Sequence, residues 1–233
     1  MSRAKRSKKN KIFTAFAMLV VLLGAALLLY PKITDAVYEK GVNSDRQAFE
    51  ENAKSNDYSA LYERLKAEND LLYLSEQADL KDPFSYSQPD IDLSQYGIAE
   101  NTIGYLTIEK MGICLPVLLG SNTENLKKGA THLTKTSYPI GGENTNCVIA
   151  AHRGFAKTDM FRNIDRLKTG DRVYLENFRE TLVYEVSEIE IIDPDEIYKL
   201  TIRDGEDMLT LVTCHPLRGN TQRYVVFCTR VDV

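Results

Sequence analysis

Residues 207–231 read DMLTLVTCHPLRGNTQRYVVFCTRV, two apolar segments rich in β-branched and aromatic residues on either side of a polar loop. The pattern predicts two strands, and Pro216, which has no backbone N–H to donate, stops the first of them just past Cys214. Cys214 is therefore expected at a strand end beside a loop, where a sulfur can meet a substrate. Arg223 opens the second strand nine residues later, across PLRGNTQ, which places both at one rim of neighbouring strands.

The same vocabulary recurs upstream at 103–109 (IGYLTIE), 113–119 (ICLPVLL), 147–152 (CVIAAH), 171–177 (DRVYLEN) and 181–192 (TLVYEVSEIEII). Gly120-Ser121, Gly141-Gly142, Lys168-Thr169-Gly170 and Asp204-Gly205 punctuate these runs as turns. One short helix is expected near Asp159–Leu167, from Phe161, Ile164 and Leu167. So many strands with so little helix predict a mainly β domain over 97–233, closed as a barrel or packed as a sandwich.

Ahead of it, 82–96 (DPFSYSQPDIDLSQY) has two prolines and no sustained period, and forms a loop in which Asp82, preceding Pro83, is extended. A loop of this length is a connector or a lid. Residues 33–81 form a helical arm, with a helix from about Ser59 to Ala78 that presents Leu61, Leu65 and Leu72 with Tyr58 and Tyr62 beside them. Its simplest role is a spacer.

Residues 1–32 read as a basic segment and membrane anchor. Arg3, Lys5, Arg6, Lys8, Lys9 and Lys11 precede the uncharged run IFTAFAMLVVLLGAALLLY at 12–30. Nineteen helical residues reach about 28 Å, enough for a hydrocarbon core, and the positive-inside rule then keeps the flanking bases cytoplasmic and puts 33–233 outside. The run is long for a signal-peptide core and no convincing small-x-small cleavage site follows, so an uncleaved anchor is expected. In the full chain of 233 residues, 33 acids face 29 bases, and the rest of the chain after the basic stretch is acidic. That acidity excludes a phosphate-backbone footprint, so nucleic acid is not a partner.

Four cysteines (114, 147, 214, 228) and three histidines (132, 152, 215) are the soft-ligand and nucleophile inventory. There is no CxxC or HxxxH spacing, so neither a metal nor another cofactor is expected. Cys114, Cys147 and Cys228 sit in apolar strand text and read as buried small hydrophobes. A cysteine nucleophile works as thiolate and needs an imidazole or a cation nearby. His215 is adjacent to Cys214 but faces the other side of the strand, since successive side chains alternate. His152 ends an apolar strand just as Cys214 does, so it is the expected partner, with His132 as the weaker candidate. Arg223 is the expected oxyanion donor, and Arg218 and Arg153 compete on the same argument.

These residues resemble the sortases, membrane-anchored cysteine transpeptidases of Gram-positive bacteria. TLVTC at 210–214 is similar to the family's TLxTC motif, His152 in AAHRG to its histidine and Arg223 in NTQRYVV to its arginine. The resemblance covers about 103–231 and implies an eight-stranded barrel in which Cys214, His152 and Arg223 are catalytic. Asp82, Pro83 and Phe84 are similar to the lid motif of class C, the pilin-polymerising sortases; carried over, Asp82 pairs with Arg223 and Phe84 covers Cys214. Class C members commonly carry a second hydrophobic segment at the C-terminus, and this sequence shows none before Val233. The implied reaction cleaves a Leu-Pro-x-Thr-Gly-like signal of a secreted pilin or surface protein. The acyl group then passes to an amine, a pilin lysine or a cell-wall precursor.

Overall fold

The computed structural model describes residues 2–155 and 158–232, without the side chains of 1–12, 15, 31, 32, 35, 36 and 99. Two compact units emerge, Met1–Gly41 and Val42–Val233. The first is helical, part of α1 (Ser2–Ser55), and its described large apolar side chains from Phe13 to Tyr30 are exposed. Among the described residues, no helix is long and apolar enough to cross a membrane. The anchor expected at 12–30 is therefore not supported by the structure; the side chains of residues 12 and 15 lie outside the described residues, which leaves 16–30 as the longest unbroken stretch of that run.

In the second unit the expected β domain is a closed barrel. Its strands are β1 (Thr102–Ile108), β2 (Ile113–Leu119), β3 (Ala130–His132), β4 (Thr145–Ala150), β5 (Arg172–Asn177), β6 (Thr181–Ile192), β7 (Asp207–His215) and β8 (Gln222–Arg230). The order around the barrel is β1-β2-β3-β4-β7-β8-β6-β5, and β1 closes against β5. Two neighbouring pairs, β2 with β3 and β4 with β7, are parallel. Closure removes the open edges that a sandwich would have to protect. Val148, Ile192, Met208, Val212, Val225 and Phe227 from the strands pack with Leu80, Leu133 and Leu200 from the flanking segments. Burying each such side chain stabilises the fold by roughly 2 kcal/mol.

Three local expectations change. The helix after Asp159 reduces to a turn and a single 3-10 segment, Ile164–Arg166, because Met160 takes a left-handed backbone (φ 42°) that interrupts helical pairing. Phe161, Ile164 and Leu167 are still buried, so the apolar spacing reported packing rather than helix. In the arm, helix α2 (Ser59–Leu74) stops short of Ala78, since Glu76 and Gln77 both turn left-handed. That turn sends the Gln77 side chain inward, where it donates to the Lys135 carbonyl (2.9 Å) and accepts from the Ile202 N–H (2.7 Å). The buried stripe of α2 is Leu61, Leu65 and Asn69, with Leu72 only half-buried; Asn69 accepts from the Tyr138 N–H at 2.7 Å. A third helix, α3 (Thr123–Lys128), was not expected. Its signals are ordinary: Asn122 caps the Glu124 and Asn125 N–H groups, and Lys127 and Lys128 close the last turn.

Candidate active site

The parallel pairing of β4 with β7 brings the two chain ends of interest together. Its register runs from Thr145↔Asp207 to Ala150↔Val212. Beyond it, the Ala151 N–H donates to the Val212 carbonyl (3.2 Å) and the Thr213 hydroxyl to the Ala151 carbonyl (2.7 Å). His152 and Cys214 are the next residues in step. Across β7 and β8, Cys214 is paired directly with Arg223, and directly opposed residues share a face of the sheet. His215 pairs with Gln222 and lies on the opposite face, as alternation requires.

Arg223 is buried, with a relative exposure of 7%, and each of its three guanidinium nitrogens donates to an acceptor. Nε and Nη2 donate to Asp82 Oδ1 (2.6 Å) and Oδ2 (3.0 Å), and Nη1 donates to the Asn220 and Gln222 carbonyls, each at 2.9 Å. Two parallel charge-assisted bonds to one carboxylate are the strong geometry for arginine. Asp82 is held for this by its own backbone: φ −54°, ψ 134°, the conformation Pro83 imposes on the residue before it. Its carboxylate also accepts from the Phe84 N–H (3.1 Å), capping the 3-10 turn Pro83–Ser85. The Pro83 carbonyl accepts from the Ser121 hydroxyl at 2.6 Å. Phe84 projects over the site: its ring centroid is 5.2 Å from the Arg223 Cζ and 6.3 Å from the His152 ring. Phe155 stacks on the same imidazole at 5.0 Å. Tyr86, the other aromatic of the segment, is exposed.

Electrostatics follow from this enclosure. Burial pushes the Cys214 thiol above its ordinary range; Arg223 pulls it back down, and Asp82 pushes it up again. Burial also lowers the His152 imidazole. Both shifts, caused first by burial, favour neutral thiol and neutral imidazole in this arrangement.

The structure thus gathers Cys214, His152, Arg223, Asp82, Pro83 and Phe84, and separates the competitors. His132 is corrected as a candidate base: it is buried in the core, its ring stacks on Tyr138 at 5.0 Å, and Nε2 donates to the Thr136 and Ser137 carbonyls. Burial drops its pKa to about 4. Arg218 is exposed on the loop, and Arg153 lies against His215 on the other face. Cys147 and Cys228 are buried and their thiols are pushed far up by burial. Two contributors were missed in the sequence. Phe155 lies three residues past His152 in a loop that carried no aromatic signal of its own, and Ser121 was read only as a turn residue. Among the described residues, no group of His, Cys, Asp or Glu could hold a metal ion.

Comparison with known proteins returns one family. The sortase-domain family profile matches residues 106–231. Sortase A of Bacillus anthracis is 25% identical over 220 residues, which covers 94% of this chain and 94% of that protein. Among solved structures, sortase C1 of group B Streptococcus Pilus Island 1 superimposes with a TM-score of 0.75 at 32% identity, over 82% of this chain and 98% of its own. A lid mutant of Streptococcus agalactiae sortase C1 does so with a TM-score of 0.71 at 30% identity, over 81% and 97%.

Proposed function

The chain belongs to the sortase family of cysteine transpeptidases, surface enzymes of Gram-positive bacteria acting on secreted proteins that carry sorting signals, and on that premise we propose that it joins pilin subunits through Cys214. The observation that carries the reading is the pairing of Cys214 with Arg223 beside the end of the parallel strand that leads into His152. The Cys214 thiol passes its proton to His152, and the resulting thiolate attacks the Thr carbonyl of a Leu-Pro-x-Thr-Gly-like signal, forming an S–C bond and a tetrahedral oxyanion that the Arg223 guanidinium stabilises. Collapse breaks the Thr–Gly C–N bond, and His152 gives its proton to the departing amine. An incoming lysine amine then attacks the thioester carbonyl, loses its proton to His152, and expels the Cys214 thiolate. The pilus assignment draws on the similarity to sortase C1 of group B Streptococcus Pilus Island 1; transfer to a cell-wall precursor amine uses the same steps with a different acceptor.

In this reading Asp82, Pro83 and Phe84 are a lid. The Asp82 carboxylate occupies Arg223 where an oxyanion or substrate carbonyl is to bind, and Phe84 lies over Arg223 and His152. The Ser121 hydroxyl holds the Pro83 carbonyl as a second tether. Lid opening is then a step of turnover.

A sorting-signal peptide with a lysine-bearing acceptor peptide tests the proposal. The expected product is an amide between the signal's Thr and the lysine side chain, in excess over hydrolysed peptide; hydrolysis alone, at every acceptor concentration, contradicts the transferase assignment. The apolar run at 12–30 is proposed to hold this chemistry at the membrane, supported by its exposed side chains and the basic residues before it. Deleting residues 1–32 should move the protein from the membrane to the soluble fraction, and an unchanged distribution counts against the anchor.

A further inference from the structure

Each of the three residues assigned to chemistry is followed in sequence by one that joins a second cluster. Arg153 follows His152, His215 follows Cys214, and Tyr224 follows Arg223. Alternation along β7 and β8 puts His215 and Tyr224 on the face of the sheet opposite Cys214 and Arg223. There they meet Arg153. Its Nη1 donates to His215 Nδ1 at 2.8 Å, its guanidinium lies 5.2 Å from the Tyr224 ring centroid, and the His215 ring is tilted against Tyr224 at 6.0 Å. Because arginine has only donors, His215 Nδ1 must accept, which puts the ring proton on Nε2 and fixes the neutral tautomer.

The Arg153 side chain is only 7% exposed, yet it is poorly provided for. Its Nε is buried with no hydrogen-bond partner among the described residues, and Asp165 stands off at 3.6 Å. A buried guanidinium with an unpaired donor is a costly way to stabilise a fold, so its short bond to His215 points to a geometric role. The position explains what that role is. The last backbone bond between β4 and β7 is the Ala151 N–H to the Val212 carbonyl, and the Thr213 hydroxyl adds a side-chain bond to the Ala151 carbonyl, one residue short of His152 and Cys214. The Arg153–His215 bond is a side-chain link between the same two strand ends one residue further on.

We propose that Arg153 and His215 are positioning residues, a strut behind the sheet that sets the spacing of the His152 imidazole and the Cys214 sulfur on its front. The proposal rests on the reading of those two residues as acid and nucleophile. The strut touches neither substrate nor the reacting atoms. A displacement of about 1 Å between reacting groups is enough to cost up to about 10²-fold in rate, while peptide binding is unaffected. Loss of the strut therefore lowers kcat and leaves KM in place.

The test is a set of full-length variants, Arg153→Met, Arg153→Lys, His215→Phe and the Arg153→Met/His215→Phe double, assayed for signal-peptide cleavage with active sites counted by the acyl adduct on Cys214. Expected are a fall in kcat of about tenfold or more for either single replacement with KM within about twofold, partial recovery in Arg153→Lys, and a double variant no worse than the singles. If Arg153→Met fails to fold, His215→Phe leaves the arginine in place and carries the same expectation alone. Unchanged kcat per active site in His215→Phe, a rise in KM with kcat intact, or losses that multiply in the double variant overturn the strut. An unmodified protein that forms no adduct on Cys214 overturns the catalytic reading, and the strut with it.

Discussion

Cys214→Ala is expected to lower signal-peptide cleavage on the order of 10⁴-fold or more and to remove the acyl intermediate, with the barrel intact. The magnitude follows from the role: the thiolate supplies the bond-forming electron pair, and nothing beside it can substitute. Cys147 and Cys228 lie in the core with thiols pushed far up by burial, so neither can take its place. Structural cost is small, because Cys214 is at a strand end and only half-buried, so thermal unfolding of the variant should shift by a few degrees at most. Kinetics and a melting curve on the same preparation check both halves. Cleavage within about tenfold of the unmodified protein would remove Cys214 from the mechanism.

Breaking the Asp82–Arg223 pair from its two ends should move activity in opposite directions. Asp82→Ala removes a charge that raises the Cys214 thiol and frees the guanidinium that lowers it. The midpoint of thiol alkylation therefore moves to lower pH, and both alkylation and peptide cleavage near neutrality rise by about tenfold. Arg223→Ala frees the lid equally, yet it deletes the one group that favours the thiolate and the oxyanion. Its alkylation midpoint moves to higher pH, and turnover falls by about 10² to 10³-fold. A merely structural ion pair predicts the same outcome from either end, a modest loss of stability with no change of sign in reactivity. Alkylation rates measured across pH for both variants decide between the two accounts.

Much of this site was legible because strand-end chemistry leaves marks in sequence. Pro216 stops β7 just past Cys214, CVIAAH ends in His152, and the loop between Cys214 and Arg223 is short enough to put them side by side. Period and turn signals alone left a sandwich open beside the barrel that the resemblance implied, because closure depends on long-range register, which the β1–β5 pairing supplies. β3 is three residues long and wholly buried, too short to display alternation. Asn69 illustrates a different failure. A stripe read from leucines passes over an asparagine whose burial is compensated by Tyr138, a partner 69 positions away. The same holds for Gln77, whose two backbone partners lie 58 and 125 positions away and cut α2 short of its apolar pattern. His152 is preferred to His132 because CVIAAH ends an apolar strand whereas His132 follows the polar KKGAT, and packing agrees with that order by burying His132 in the core.

The apolar segment at 12–30 stands apart from these. Its composition alone led to an anchor, and the described residues include no helix long and apolar enough to cross a membrane. Its described large apolar side chains, from Phe13 to Tyr30, are exposed, and its role rests with the deletion experiment above.

The central claim is that Cys214 carries the acyl group. The direct test is to incubate the full chain with a Leu-Pro-x-Thr-Gly peptide, digest it, and locate the added mass by tandem mass spectrometry, using the Asp82→Ala protein alongside to relieve the lid. The account predicts a thioester on Cys214, carrying the peptide up to Thr and formed faster in the Asp82→Ala protein. An adduct on Cys114 in place of Cys214, or no adduct in either protein while the peptide stays whole, would contradict it.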